Sequence, residues 1–244
     1  MNTAIKRIKN NTLLSILVAL FLGIAVFYLS KYFSSLTSGF IKNNLDLDIA
    51  LKGYINGLYT ILLSLLIIWF VNNKSFKNYG FTWPKHINFF KMTLISLSII
   101  TDAILIGGIL FMGILSHYFP SETSNTFPEL TLLEQVLKIW IWASIYEEIL
   151  ARGLVQGFLN HLKNKKIIGL SIPVICSGIF FGALHLNTLT IGNPMMTGMI
   201  VFFTTIGGLV FAYYREKSES IFASMYLHFL ANVTGAILTA LVSQ

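Results

Sequence analysis

Charge is scarce in this chain. Only 11% of its 244 residues are Asp, Glu, Lys or Arg, whereas 55% are hydrophobic and the mean hydropathy is +0.73. A soluble domain carries roughly 25% charged residues, so a soluble globular protein is excluded and a polytopic membrane protein is indicated. A single cysteine, Cys176, lies in an apolar run and excludes an intrachain disulfide. Internal repeats, low-complexity tracts and linkers are missing as well, and the length leaves no room for a second sizeable domain once the spans are placed. The net charge of +7 does not mark a nucleic-acid partner, because the basic residues are scattered through short loops.

What is present is apolar sequence in helix-length runs. A membrane helix needs about 20 apolar residues, and seven stretches qualify, at approximately 12–30, 54–71, 90–115, 135–158, 167–188, 194–214 and 219–242. The expected fold class is all-α, a polytopic membrane helix bundle of about seven (seven to eight) transmembrane helices. The third and fourth spans are long enough to be tilted or interrupted. A two-span N-terminal region, 1–74, precedes an integrated membrane domain over 75–244. The longest break is the loop holding Pro120 and Pro128.

Lys and Arg set the expected orientation by the positive-inside rule. Lys6, Arg7 and Lys9 precede the first span; Lys74, Lys77, Lys85 and Lys91 follow the second; Lys163, Lys165 and Lys166 follow the fourth; Arg215 and Lys217 follow the sixth. The opposite side offsets Lys31, Lys42 and Lys52 with Asp46 and Asp48, then carries Glu122 and Glu129. A multi-pass cell-membrane protein with a cytoplasmic N-terminus is expected. The first apolar run exceeds the 7–15 residues of a signal-peptide core and lacks a small-x-small cleavage site, which predicts a retained span. Richness in Lys, Asn and Ile fits an AT-rich bacterial genome.

The chemistry stands out against this background. Glu147 and Glu148 are adjacent in IWASIYEEILARGLVQGFL, and an ionised carboxylate at bilayer depth costs several kcal/mol unless paired or hydrated. Glu148 and Arg152 are four apart, a spacing that permits an ion pair on one helix face. Glu147 is turned about 100° away and has no counter-ion on its own helix, so it is expected to face the bundle interior. Two later spans add His185, with Phe181 one turn before it, and His228 stacked with Asn232. Each has an ordinary alternative: a hydrogen-bonded core histidine for His185, an interhelical hydrogen-bond cluster for His228 with Asn232, packing for Phe181. Asp102, in the third span, reads as structural. Three spans that each contribute acid–base side chains make a common site the stronger reading.

Glu147-Glu148-xxx-Arg152, Phe181-xxx-His185 and His228-xxx-Asn232 resemble, in order, the three motifs EExxxR, FxxxH and HxxxN of the CPBP family. These are the CAAX-protease and bacteriocin-processing membrane enzymes, also called the Abi family. NYGFTWPK, between the second and third spans, is similar to the family's aromatic–proline lead-in, and the resemblance covers roughly residues 75–242. HExxH, GxSG and a second membrane aspartate beside Asp102 are missing, which argues against site-2, rhomboid-like and presenilin-type proteases.

The resemblance implies an intramembrane endopeptidase of glutamate type, type II CAAX prenyl endopeptidase-like, acting on a membrane-associated peptide or protein in the lipid bilayer. Glu147 would be general base on water and His185 would orient the water or shuttle its proton. Glu148 with Arg152 would balance charge, and His228 with Asn232 would stabilise an oxyanion, where one donor is worth about 3 kcal/mol. Metal dependence stays open: either no cofactor, or a divalent metal such as Zn2+ on Glu147, His185 and His228, since a catalytic zinc needs three protein ligands. A non-catalytic membrane scaffold or immunity factor is the alternative, and a proton-coupled transporter a more distant one.

Overall fold

The computed structural model describes residues 3–45, 51–119, 130–190 and 193–242. The loop holding Pro120, Pro128, Glu122 and Glu129, and Asp46 with Asp48, lie outside the described residues. The described chain is helical except for one short hairpin: α1 (Thr3–Lys9), α2 (Thr12–Leu45), α3 (Lys52–Val71), α4 (Phe89–Tyr118), α5 (132–159), β1 (Lys166–Ile167), β2 (Leu170–Ser171), α6 (Ile172–Leu184), α7 (Pro194–Ser218) and α8 (Ile221–Val242). Six helices, α2, α3, α4, α6, α7 and α8, are long and apolar enough to cross a membrane. Helix α5 covers the fourth expected span but is not among the six, because it carries Glu134, Lys138, Glu147, Glu148 and Arg152.

Helix starts are written in short polar signals. Thr131 and Glu134 form a reciprocal capping box at the head of α5. Asn88, Ser171 and Asn193 each accept a backbone N–H of the first turn of α4, α6 and α7, and Pro173 and Pro194 occupy first-turn positions where a missing N–H costs nothing. Helix α7 stops at Glu219, which takes a left-handed φ of 57°, and Ser220 then caps α8 by accepting the Phe222 N–H.

Two boundaries differ from the sequence reading. The first span was expected to end near residue 30, yet α2 runs 34 residues, about 51 Å at 1.5 Å per residue; no proline interrupts the run, so the helix continues past the apolar stretch. The fifth was expected from 167, but Lys166–Ile167 pairs antiparallel with Leu170–Ser171. The connecting Ile168 and Gly169 have φ of 52° and 79°, the two-residue hairpin geometry that matches strand twist.

Helix α5 is the centre of the bundle, touching α2, α3, α6, α7 and α8. Its backbone bonding widens to π turns over Gln135–Ala143 and Ile149–Gln156, on either side of the α-helical Ser144–Glu148. Helices α6 and α7 pack closely at Gly178 and Gly208: a Cβ on Gly208 would lie 2.9 Å from the Gly178 carbonyl oxygen. The NYGFTWPK segment straps across the α7–α8 turn. Its Gly80 carbonyl accepts the Ile221 N–H, its Lys85 N–H donates to the Ser218 carbonyl, and the Thr82 hydroxyl donates to the Glu219 carbonyl. Tyr79 is buried there against Gly157 of α5.

Candidate active site

Four residues at helical spacing, Ser144, Glu148, Arg152 and Gln156, form a fully buried polar line along α5. Such a line is costly to bury unless its groups find partners; it is partly satisfied, with Glu148 Oε2, Arg152 Nε and Gln156 Oε1 making no hydrogen bond. Arg152 Nη1 pairs with Glu148 Oε1 at 2.9 Å. Arg152 Nη2 donates to the Gly208 carbonyl and Gln156 Nε2 to the Ala212 carbonyl, each at 2.9 Å. Gly208 and Ala212 are themselves four apart, so the line fixes the register of α5 on α7. The guanidinium also lies 4.4 Å from the Phe181 ring and 5.4 Å from the Phe211 ring, the flat aromatic seating that suits an arginine.

The two glutamates divide differently from the expectation. Glu148, not Glu147, is the carboxylate sealed in the interior, at 0% exposure against 20% for the Glu147 side chain. The 100° turn between neighbours takes Glu147 off the line that faces α7. Glu147 instead lies beside Tyr146 and reaches the cluster across His228.

His228 of α8 stands between both carboxylates. Its Nδ1 is 3.1 Å from Glu148 Oε1 and its Nε2 is 3.9 Å from Glu147 Oε2. A carboxylate held by Arg152 can only accept, so His228 Nδ1 carries a proton. The 3.9 Å separation is too long for a direct hydrogen bond and suits one bridging water. The ring stacks on Phe211 at 5.3 Å and meets Phe181 edge-on at 5.2 Å.

His185 caps the end of α6 and begins a 3-10 turn that runs to Thr190, and its Nδ1 lies 2.9 Å from the Phe181 carbonyl oxygen. A carbonyl cannot donate, so Nδ1 holds a hydrogen, and in the neutral ring Nε2 is the acceptor. Phe181 serves more than packing: its ring contacts Arg152, His185, His228 and Phe211 together. Asn232 lies one turn beyond His228, but both of its amide hydrogens are engaged, with the Ile139 carbonyl at 2.9 Å and Ser144 Oγ at 3.3 Å. As placed, it ties α8 to α5 and is not a free oxyanion donor.

Phe181, His185, His228 and Asn232 share a cavity of about 50 Å³ with Ile104 and Phe211. One water needs roughly 10–15 Å³ on this measure, so the chamber has room for a few waters. Among the described residues no three His, Cys, Asp or Glu side chains converge as metal ligands. Glu147, His185 and His228 therefore do not fit a zinc ion in this arrangement. Asp102 is exposed on α4 and does not line this chamber. Tyr146, Phe211, Gln156 and Gly208 belong to the surroundings of the site and were not singled out in the sequence; Gln156 alone had a signal, the continued four-residue spacing after Arg152.

No curated protein and no solved structure matches the chain. Residues 128–234, the stretch that holds Glu147, Glu148, Arg152, Phe181, His185, His228 and Asn232, match the family model described as type II CAAX prenyl endopeptidase Rce1-like.

Proposed function

We propose that this chain is an intramembrane endopeptidase that hydrolyses a peptide bond of a membrane-associated peptide or protein, in CAAX-type processing or peptide maturation. The observation that carries this reading is the position of His228 between two carboxylates, on a small chamber that His185 also lines. Glu147 takes a proton from a water lodged against His228 Nε2, and the water oxygen attacks the scissile carbonyl carbon. The proton passes, directly or through His185, to the leaving amine as the C–N bond breaks. Glu148 and Arg152 hold His228 in its tautomer and cancel each other's charge. His228, when it is imidazolium, offers Nε2–H to the developing oxyanion, and Asn232 positions α8. Positioned acid–base groups of this kind supply typically 10²–10⁴-fold.

Mass spectrometry of membrane peptides from cells carrying wild-type or Glu147→Ala protein tests the reading. A peptide product that appears only with wild type is expected. Full cleavage by purified Glu147→Ala protein in detergent would falsify the mechanism, and a cellular phenotype that survives alanine at all three motifs would transfer the role to a scaffold.

A further inference from the structure

A second cavity, larger than the chamber at the histidines, takes no part in this chemistry. A groove of about 640 Å³ runs between α2 and α6, walled by Leu20, Ile24 and Phe27 on one side and Cys176, Phe180 and Leu184 on the other. Lys31 stands at one end. Its ammonium donates to Asn187 Oδ1 at 2.7 Å and lies 4.1 Å from the Phe27 ring centroid. Among the described residues no carboxylate is within ion-pair distance of it.

Depth can be read from the helices themselves. Leu20 to Lys31 is a rise of about 16 Å at 1.5 Å per residue, close to half of a hydrocarbon core of about 30 Å. From Thr12, the start of α2, Lys31 stands about 28 Å along the axis, near one full core thickness. Helix α3 gives an independent ruler. Its 20 residues span about 30 Å, and its first residue, Lys52, accepts through its carbonyl the Ser34 hydroxyl, one turn beyond Lys31. Both rulers put Lys31 at headgroup depth and make the groove one leaflet deep.

The geometry points to a resident anionic phospholipid: one acyl chain lies in the α2–α6 groove while the phosphodiester sits on the Lys31 ammonium and the Asn187 amide. The Asn187 oxygen is used by Lys31, which leaves its N–H groups to donate outward. An anionic headgroup supplies the counter-charge that Lys31 lacks among the described residues, and the groove opens to the bilayer past Tyr28 and Ile179, both exposed. A substrate's lipid tail would not require a cation at this depth. This site is independent of the hydrolytic reading.

Native mass spectrometry of the delipidated full chain, offered phosphatidylglycerol or phosphatidylcholine of equal chain length, tests it. Wild type should retain one phosphatidylglycerol with at least about tenfold preference, Lys31→Arg should keep that preference, and Lys31→Gln should bring it near unity. Ala183→Phe, which fills the groove wall, should lose both lipids while the protein elutes as wild type. Unchanged preference in Lys31→Gln overturns the headgroup assignment, and it does so whether or not Ala183→Phe folds. Stoichiometric displacement by a farnesylated peptide would give the groove to substrate, and displacement by glycerol 3-phosphate would show that no acyl chain is needed; either overturns the proposal.

Discussion

Glu147 and Glu148 occupy adjacent positions yet live in different solvents. Glu148 sits at the junction of Arg152 and His228 with no exposure, whereas Glu147 keeps a fifth of its side chain accessible. Conservative replacement separates their roles. Glu147→Gln should fold and insert as wild type while peptide processing falls by about 10²–10⁴-fold, read by product formation in detergent. Arg152→Met should instead cost about 3–5 kcal/mol, because it strands a buried carboxylate; thermal unfolding in detergent gives the measure. A Glu148→Leu/Arg152→Met double variant should unfold at a higher temperature than Arg152→Met alone. The spacing of Glu148 and Arg152 made their pair legible in the sequence. The bridging of both carboxylates by His228 was not, since it depends on how α8 rotates against α5, and no local spacing encodes that.

Helix ends and helix contacts were legible to different degrees. Pro194 after Asn193, and Ser171 ahead of Pro173, announce their helices in a few residues. The hairpin at 166–171 was hidden inside an apolar run, because Ile167, Ile168 and Leu170 read as membrane sequence until Gly169 supplies the turn. Long-range contacts leave weaker traces still: Gly178 and Gly208 are two glycines among 18, and only the folded chain shows them back to back. Gly208→Ala tests that contact. Its added carbon meets the Gly178 carbonyl oxygen at 2.9 Å and the Phe181 Cβ at 3.2 Å, so α6 and α7 must part or distort. A loss of about 1–3 kcal/mol is expected. Processing should fall further than stability alone explains, since the same displacement moves the Gly208 carbonyl from Arg152; residual activity measured well below the unfolding temperature separates the two effects.

At the scale of the molecule, the apolar runs named the bundle class, and six of its helices meet the length and hydropathy of a membrane span. Orientation is open to direct measurement. In a Cys176→Ala background, cysteines placed at Lys163 and Lys217 should react with an impermeant maleimide only from the cytoplasmic side, and a cysteine at Lys52 only from outside. The basic end also carries a pH signature. His161, just beyond α5, has its pKa lowered from the usual value near 6.5, chiefly by desolvation, opposed by its hydrogen bond to the Phe158 carbonyl and reinforced by Lys9 and Lys165. The unfolded chain therefore binds a proton at a pH where the folded chain does not. That contribution to stability is complete above about pH 6.5 and declines as pH falls toward the folded value. His161→Gln should flatten this part of the unfolding profile between neutral and mildly acidic pH.

The chamber of about 50 Å³ sets a limit on timing. It accommodates waters and no peptide, so recognition and bond cleavage, on the proposed reading, belong to two different shapes of the same bundle. Helices must separate before a chain can reach the histidines and close again before water is positioned. Motions of packed helices fall in the microsecond-to-millisecond range, and turnover would then follow the opening clock of the bundle, with bilayer thickness and fluidity acting on rate as directly as any side chain in the site.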